Sequence, residues 1–197
     1  MNIPKLLVSG FVVTLLCVFS FAITTTPLQA ATKEQIEQQK ADIQKMANDT
    51  LERLYKINPS AKKALAKASG YAVFNNFGMK ILVAGGGSGK GLAVNNTTKH
   101  NTFMKMIEVQ AGLGMGIKKF RLIWVFENMS DFNNFINSGW EFGGQATVAA
   151  QASGEGGAFA GAMSISPGVW LYQLTDDGLA LELTAKGTKY YKDDNLN

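Results

Sequence analysis

A run of glycines, Gly85–Gly91, places the strongest constraint on how this chain can fold. It contains five glycines and one lysine, and glycine fills every second position from Gly87 to Gly91. Because successive side chains of a strand point to opposite faces, this alternation predicts a strand with one face bare of side chains. Glycine inside a strand usually marks a bulge, a sharp bend or a group packed close against the backbone. The run therefore predicts a sheet with something lying tightly against it.

A phosphate-binding loop is the alternative interpretation of the same glycines, and it fails on spacing. The Walker pattern G-x-x-x-x-G-K-[ST] would need a glycine at Ala84 and a magnesium-binding hydroxyl at Gly91. A helix should also follow, because its N-terminus holds the phosphate. Instead, Leu92–Thr98 has the pattern of a strand end and a turn. We therefore expect no nucleotide ligand.

The bare-face pattern recurs further along the chain. Glycine alternates with larger apolar residues at Gly112, Gly114 and Gly116. Small residues recur at even positions in two later segments, at Gly144, Ala146 and Ala150, and at Ala158, Ala160 and Ala162. Close packing of protein against these strands is the favoured interpretation. A groove for a lipid or another ligand is the alternative.

The first thirty residues have the pattern of a signal peptide. Lys5 is their one charged residue, and a largely apolar stretch follows over Leu6–Ile23. We predict a signal peptide over residues 1–30 with cleavage after Ala30; cleavage after Ala22 and a retained membrane anchor are the alternatives. The pattern predicts export, most simply to a bacterial periplasm.

Residues 31–197 are predicted to form one domain of about 167 residues, which is enough for a sizeable core. Without Lys5 the chain has 18 basic and 15 acidic residues, a net charge of +3 with His100 neutral. This charge is too mild to indicate nucleic acid binding. Cys17 lies in the predicted signal, so the domain would fold without disulfides.

Few residues are available for catalysis. With a single histidine, His100, and no cysteine after Cys17, the sequence excludes cysteine–histidine catalysis and multi-histidine metal sites. No G-x-S-x-G nucleophile elbow occurs. The carboxylate pairs Asp176-Asp177 and Asp193-Asp194 are predicted to lie in a turn and in a tail. We therefore predict no enzymatic activity and no cofactor.

Two helices are predicted over an N-terminal segment, 32–69. Thr32 and Gln35 form a capping box, and Asn58-Pro59 ends the first helix and begins the second. Gly70 is predicted to close the second helix as its C′ residue. Lys62 and Lys63 lie on the outer side of this helix. Because the helix is short and its apolar side is mostly alanine, an ordinary solvated face is favoured over a membrane-binding one.

After these helices the pattern changes to strands, with one helix inserted at Asp131–Ser138 between a Ser130 cap and Gly139. Strands are predicted at Tyr71–Phe74, Lys80–Val94, Thr102–Gly116, Ile117–Phe126, Gly144–Gln151, Ala158–Ser164, Val169–Leu174 and Leu179–Thr184. The turn Thr175–Gly178 would join the last two as a hairpin. The chain is thus predicted to be an α+β domain whose N-terminal helices precede a mostly antiparallel, glycine-rich sheet that is closed or barrel-like.

A basic patch and an aromatic face share one predicted strand. Lys118, Lys119 and Arg121 lie beside the second group of alternating glycines. Phe120, Leu122, Trp124 and Phe126 occupy alternate positions of the same strand. Core packing is the expected role of that aromatic face.

The stretch from residue 64 to residue 197, about two thirds of the chain, resembles the SYLF domain family, in an exported bacterial branch. The resemblance is carried by Gly70-Tyr71-Ala72-Val73-Phe74, by Asn137-Ser138-Gly139-Trp140-Glu141-Phe142-Gly143-Gly144-Gln145-Ala146, by Ser166-Pro167-Gly168-Val169-Trp170, by Leu181-Glu182-Leu183-Thr184 and by Gly187-Thr188-Lys189-Tyr190-Tyr191. It implies a non-enzymatic domain that binds anionic or phosphoinositide-type lipid headgroups at the bacterial envelope. The alternative is an envelope scaffold or protein-interaction domain of the actin-regulator kind.

No motif of the family identifies individual lipid contacts in this chain. The candidate lipid-binding residues are therefore chosen by charge and position, and they are Lys62, Lys63, Lys90, Lys118, Lys119 and Arg121. Each basic side chain near an anionic bilayer contributes about 1 kcal/mol of attraction, so three to five acting together would give reversible association. The predicted partners are anionic phospholipid headgroups or a membrane surface, with an envelope protein as the alternative.

Overall fold

The computed structural model describes residues 32–81, 84–111, 116–139, 141–142, 151–152, 159–180 and 187–197. Within these ranges, the side chains of 77–81, 84–85, 110–111, 116–118, 141–142 and 151–152 are outside the description. The predicted signal segment, residues 112–115 of the second glycine group and most of the strand predicted at Gly144–Gln151 also lie outside the described residues.

The described residues form three helices and ten strands. In chain order these are α1 (Lys33–Ile57), α2 (Pro59–Lys67), β1 (Gly70–Ile81), β2 (Ala84–Asn95), β3 (Asn101–Ala111), β4 (Gly116–Phe126), α3 (Met129–Ser138), β5 (Glu141–Phe142), β6 (Gln151–Ala152), β7 (Met163–Ser166), β8 (Val169–Thr175), β9 (Gly178–Ala180) and β10 (Thr188–Lys192). The α+β class, with N-terminal helices before the sheet, is confirmed. In the described part of the chain, no helix is both long enough and apolar enough to cross a membrane.

The strands form one antiparallel sheet, curved into a half-barrel. Their spatial order is β5-β10-β3-β2-β1-β4-β8-β7-β6, and β9 pairs with β8. The four long strands thus run 3-2-1-4, the Greek-key order in which a fourth strand returns to lie beside the first. This order puts β4, with its basic patch, next to the strand pair that contains the glycine run.

Each face of the sheet has its own core. On one face, which we call the α1 face, residues such as Val73 and Ile123 pack against α1 and α2. On the opposite face, the α3 face, Phe74 and Trp124 pack against α3 and Tyr190. Adjacent strand positions alternate between these cores, as the period of two requires. The aromatic side of β4 was therefore predicted correctly as core.

The helix boundaries follow local sequence rules in most places. The Thr32 hydroxyl accepts a hydrogen bond from Gln35 N at 3.2 Å, and the Gln35 side chain accepts one from Thr32 N at 2.9 Å, so the capping box is confirmed. Pro59 is the first residue of α2, as predicted. The prediction for Gly70 was wrong, because α2 ends at Lys67 with an extended cap residue and Gly70 already begins β1.

The third helix begins earlier than predicted and ends where expected. Asn128, rather than Ser130, is its N-cap, with the side-chain oxygen accepting from Asp131 N at 2.9 Å. Gly139 closes it in the left-handed conformation, φ +64°, as the pattern predicted.

Three strand predictions needed correction. The first strand does not stop at Phe74 but continues to Ile81. Lys80 and Ile81, which were predicted to begin the second strand, therefore belong to the first. Phe159–Gly161 is a turn, so β7 begins at Met163 rather than at Ala158. The last strand, β10, was not predicted at all. By contrast, β4, β8 and the turn after Thr175 agree with the sequence to within one or two residues.

The bare face of the glycine run is filled by protein. A β-carbon at Gly91 would overlap the ring of Phe74, which is its direct partner on β1. A β-carbon at Gly89 would overlap the main-chain oxygen of Asn75 and approach Met106. An aromatic ring laid over a strand glycine restores packing that the missing side chain cannot supply. Tight packing, the favoured interpretation of the run, therefore holds at these two positions.

A buried polar pair depends on another glycine of the same run. The Asn76 amide on β1 donates a hydrogen bond to the carboxylate of Glu108 on β3, and both side chains are buried. Their strands are separated by β2, where the residue paired with Glu108 is Gly87. Because Gly87 has no side chain, the Asn76 amide reaches across β2 to the carboxylate.

Candidate anion-binding groove

Helix α1 crosses the strands, and three polar contacts fix it in place. Lys90 on β2 donates from Nζ to the Gln39 side-chain oxygen at 2.9 Å. Arg121 on β4 donates from Nη1 to the Thr50 hydroxyl at 3.1 Å. Arg53 donates from Nη2 to the main-chain oxygens of Thr175 and Asp176, the latter at 3.0 Å. The helix therefore runs from β2 across β4 to the end of β8.

A half-open cavity of about 330 Å³ lies on the α1 face, beside α1. Its lining includes three basic side chains: Arg53 from the helix, and Lys119 and Arg121 from β4. The other lining residues are Asn75, Asn76, Ser88, Phe120, Leu174, Thr175 and Asp176. Because Lys119 and Arg121 are two positions apart on one strand, the pleat directs both to this face.

The cavity carries more positive than negative charge. Among the residues that the structure describes, the lining contains one acidic residue, Asp176, and three basic ones. The hydrogen bonds of the two arginines go to neutral oxygens, a hydroxyl and two carbonyls. Within the described residues, neither arginine forms an ion pair. Guanidinium groups fixed in this way are suited to a phosphate or carboxylate, with which they make paired, charge-assisted hydrogen bonds.

Two further cavities adjoin the first. One of about 360 Å³ is lined by Asn75, Ser88, Gly89, Lys90, Lys105, Met106, Ile107 and Tyr191. The other, of about 230 Å³, is lined by Gln39, Asp42, Ile43, Met46, Asn75 and Lys90. Asn75 lines all three, so the cavities adjoin one another beside α1. Together we call them the α1 groove.

Asn75 lies where the three cavities meet and is exposed. Its side-chain oxygen accepts a hydrogen bond from the main-chain nitrogen of Lys90 at 3.1 Å. The pairing of β1 with β2 is interrupted here, between the pairs Phe74–Gly91 and Phe77–Ser88.

The structure brings together three of the six candidate residues predicted from the sequence. Lys90, Lys119 and Arg121 all line the α1 groove. Lys62 and Lys63 are exposed on α2 and line none of its cavities, as an ordinary solvated face would be. The side chain of Lys118 lies outside the described residues.

Arg53 is a groove residue that the sequence did not single out. It lies among other charged residues on α1, and its helical position gives no sign that it faces the sheet. Only the crossing of α1 over β4 and β8 brings it to Arg121 and Thr175. Arg53 lies one helical turn after Thr50, which is buried in the structure, and this spacing is the one indication of the direction in which it points.

The pair Asp193-Asp194 was predicted to lie in a tail, and the structure corrects this. Asp193 is buried and its carboxylate pairs with Lys105 Nζ at 2.7 Å, while the side chain of Asn197 bonds the main chain of Phe103. The chain end is therefore packed along β3. Across the described ranges, histidine, cysteine, aspartate and glutamate side chains form no group of three or more that could hold a metal ion.

The fold and the groove together define an α+β half-barrel domain with a basic groove beside its first helix. A scan against protein-family models finds no match. The chain is 34% identical over 155 residues to a protein named Beta cell expansion factor A from Aeromonas veronii. The similarity covers 78% of this chain and 57% of that protein, so the chain spans little more than half of the relative's length.

Proposed function

We propose that this protein is a non-enzymatic, exported SYLF-type module that binds anionic phospholipid headgroups at the bacterial envelope through the α1 groove. The observation that supports this most directly is the convergence of Arg53, Lys119 and Arg121 on one half-open cavity. Two of these residues are fixed by neutral partners, so their positive charge is not cancelled by a carboxylate. Export rests on the signal-like pattern of residues 1–30.

The position of the α1 groove favours a headgroup at a membrane over a deeply enclosed substrate. Lys119 and Lys90 are exposed, and the two arginines are half-buried at the margin of α1. A flat anionic surface can approach such residues without a conformational change. With about 1 kcal/mol for each basic side chain, three of them and Lys90 would give weak, reversible association.

Vesicle sedimentation tests the proposal. The purified protein is expected to sediment with vesicles containing phosphatidylglycerol and to stay in solution with vesicles of phosphatidylcholine alone. Raising the salt concentration to about 1 M, where the Debye length falls to about 3 Å, should release most of it.

Equal sedimentation with both vesicle types, or association that salt does not weaken, would contradict the headgroup proposal. Recovery of one stoichiometric crosslinked protein, together with no vesicle association, would instead support the envelope-scaffold alternative.

A further inference from the structure

We propose that the α1 groove holds one anionic amphiphile, with its headgroup between Arg53, Lys119 and Arg121 and its hydrocarbon chain directed towards Ile107. This inference deepens the headgroup proposal and rests on it. It specifies a single bound molecule with an apolar chain, whereas surface charge alone would need only a bilayer.

The lining of the groove changes character along its length. The end beside Arg121 is basic and polar. The neighbouring cavity, which shares Asn75 and Ser88 with it, is lined on its other side by Ile107 and Tyr191. A charged end that adjoins an apolar end matches a molecule with the same two parts.

Two lysines border the apolar end, and both of their ammonium groups have protein partners. The ammonium group of Lys105 pairs with Asp193 at 2.7 Å, and that of Lys90 bonds to Gln39 at 2.9 Å. Because the ammonium groups are held by these partners, the methylene groups of both side chains line the cavity. Long basic side chains commonly cover apolar surface in this way.

Two exposed aliphatic residues extend the apolar end along β3. Ile107 is 44% exposed and Val109 is 68% exposed, and both lie on the α1 face. Single exposed aliphatic residues are common and need no explanation. These two are neighbours on one face, and Ile107 also lines the cavity.

The size of the groove suits a small ligand. The cavity beside Ile107, which would hold the chain, has a volume of about 360 Å³ and lies at the lower end of the range of roughly 300–1,000 Å³ found for small-molecule sites. One chain fits this cavity better than the two chains of a phospholipid. The ligand class is therefore a single-chain alkyl or acyl phosphate, or a carboxylate of the same shape.

A chain-length series tests the inference. The full-length protein is titrated by calorimetry with inorganic phosphate and then with butyl, hexyl and octyl phosphate, each below its micelle concentration. Affinity is expected to rise about fourfold for each methylene group that becomes buried and to level off when the chain outgrows the groove. Equal affinity for inorganic phosphate and octyl phosphate would overturn the inference.

Variants separate the two ends of the groove. Ile107→Ser is expected to flatten the chain-length dependence and to leave the affinity for inorganic phosphate unchanged. Lys119→Gln should weaken every member of the series by a similar factor. Ile57→Ser is the matched control, because Ile57 is also 44% exposed but lies at the end of α1 and lines none of the cavities. Circular dichroism confirms that each variant is folded.

The results also distinguish this inference from the headgroup proposal. Salt-sensitive association with anionic vesicles, combined with a flat chain-length series, would refute the amphiphile groove and leave headgroup binding standing. Loss of both vesicle association and alkyl phosphate binding would refute both. If Ile57→Ser flattens the series as much as Ile107→Ser does, the chain does not lie along β3 and the inference fails.

Discussion

Replacing Gly89 with valine is expected to lower the free energy of unfolding by about 3 kcal/mol, the upper end of the usual range for overpacking. The reason is the nature of the neighbour. A β-carbon at this position would overlap the main-chain oxygen of Asn75, and a main chain held in a sheet cannot rotate away as a flexible side chain can. Asn75 also lines all three cavities of the α1 groove.

Thermal unfolding measures this effect. For a domain of this size, a loss of about 3 kcal/mol corresponds to a fall in Tm of roughly 6–12 °C. Gly86→Val is the matched control in the same strand. A β-carbon at the exposed residue Gly86 would meet its nearest neighbour, the Glu108 oxygen, at an ordinary 3.5 Å. If both variants unfold near the wild-type Tm, the conclusion that protein packs tightly against the bare face is refuted.

Removing two charges from the α1 groove should weaken association with anionic vesicles about 30-fold. The variant is Lys119→Gln/Arg121→Gln, and the estimate takes about 1 kcal/mol for each charge. Loss of the Arg121 hydrogen bond to Thr50 should lower the free energy of unfolding by only about 1 kcal/mol. Arg53 is retained because its guanidinium group holds the turn after β8.

The control for this variant is Lys62→Gln/Lys63→Gln, which removes the same charge from α2. Both lysines are exposed and line none of the groove cavities, so only a small change is expected in the partition coefficient measured by sedimentation. An equal loss in both variants would mean that net charge, rather than the groove, drives association.

The features predicted correctly from the sequence are those set by local rules. The capping box at Thr32, the break at Pro59 and the aromatic alternation of β4 each depend on residues a few positions apart. β1 was predicted too short, because Asn75-Asn76 is polar and asparagine is depleted in strands. In the fold, both side chains find partners inside the sheet, at Lys90 and Glu108.

The missed features depend on distant residues. The strand β10 is short and partly charged, and it forms by pairing with β3, more than eighty positions earlier in the chain. The groove has the same origin. Arg53 meets Thr175 across 122 positions, and Thr50 meets Arg121 across 71. The sequence indicated basic residues on two strands, but only the path of α1 over the sheet selects which of them share a cavity.

Lysine labelling in the presence of vesicles tests the central claim most directly. The protein is acetylated with and without phosphatidylglycerol vesicles, and the modification of each lysine is measured by mass spectrometry. Lys62, Lys63, Lys90 and Lys119 are all exposed, so the reagent can reach each of them in the absence of vesicles. The groove account predicts protection of Lys119 and Lys90, with Lys62 and Lys63 labelled as before. Protection of Lys62 and Lys63 with unchanged labelling of Lys119 would contradict it.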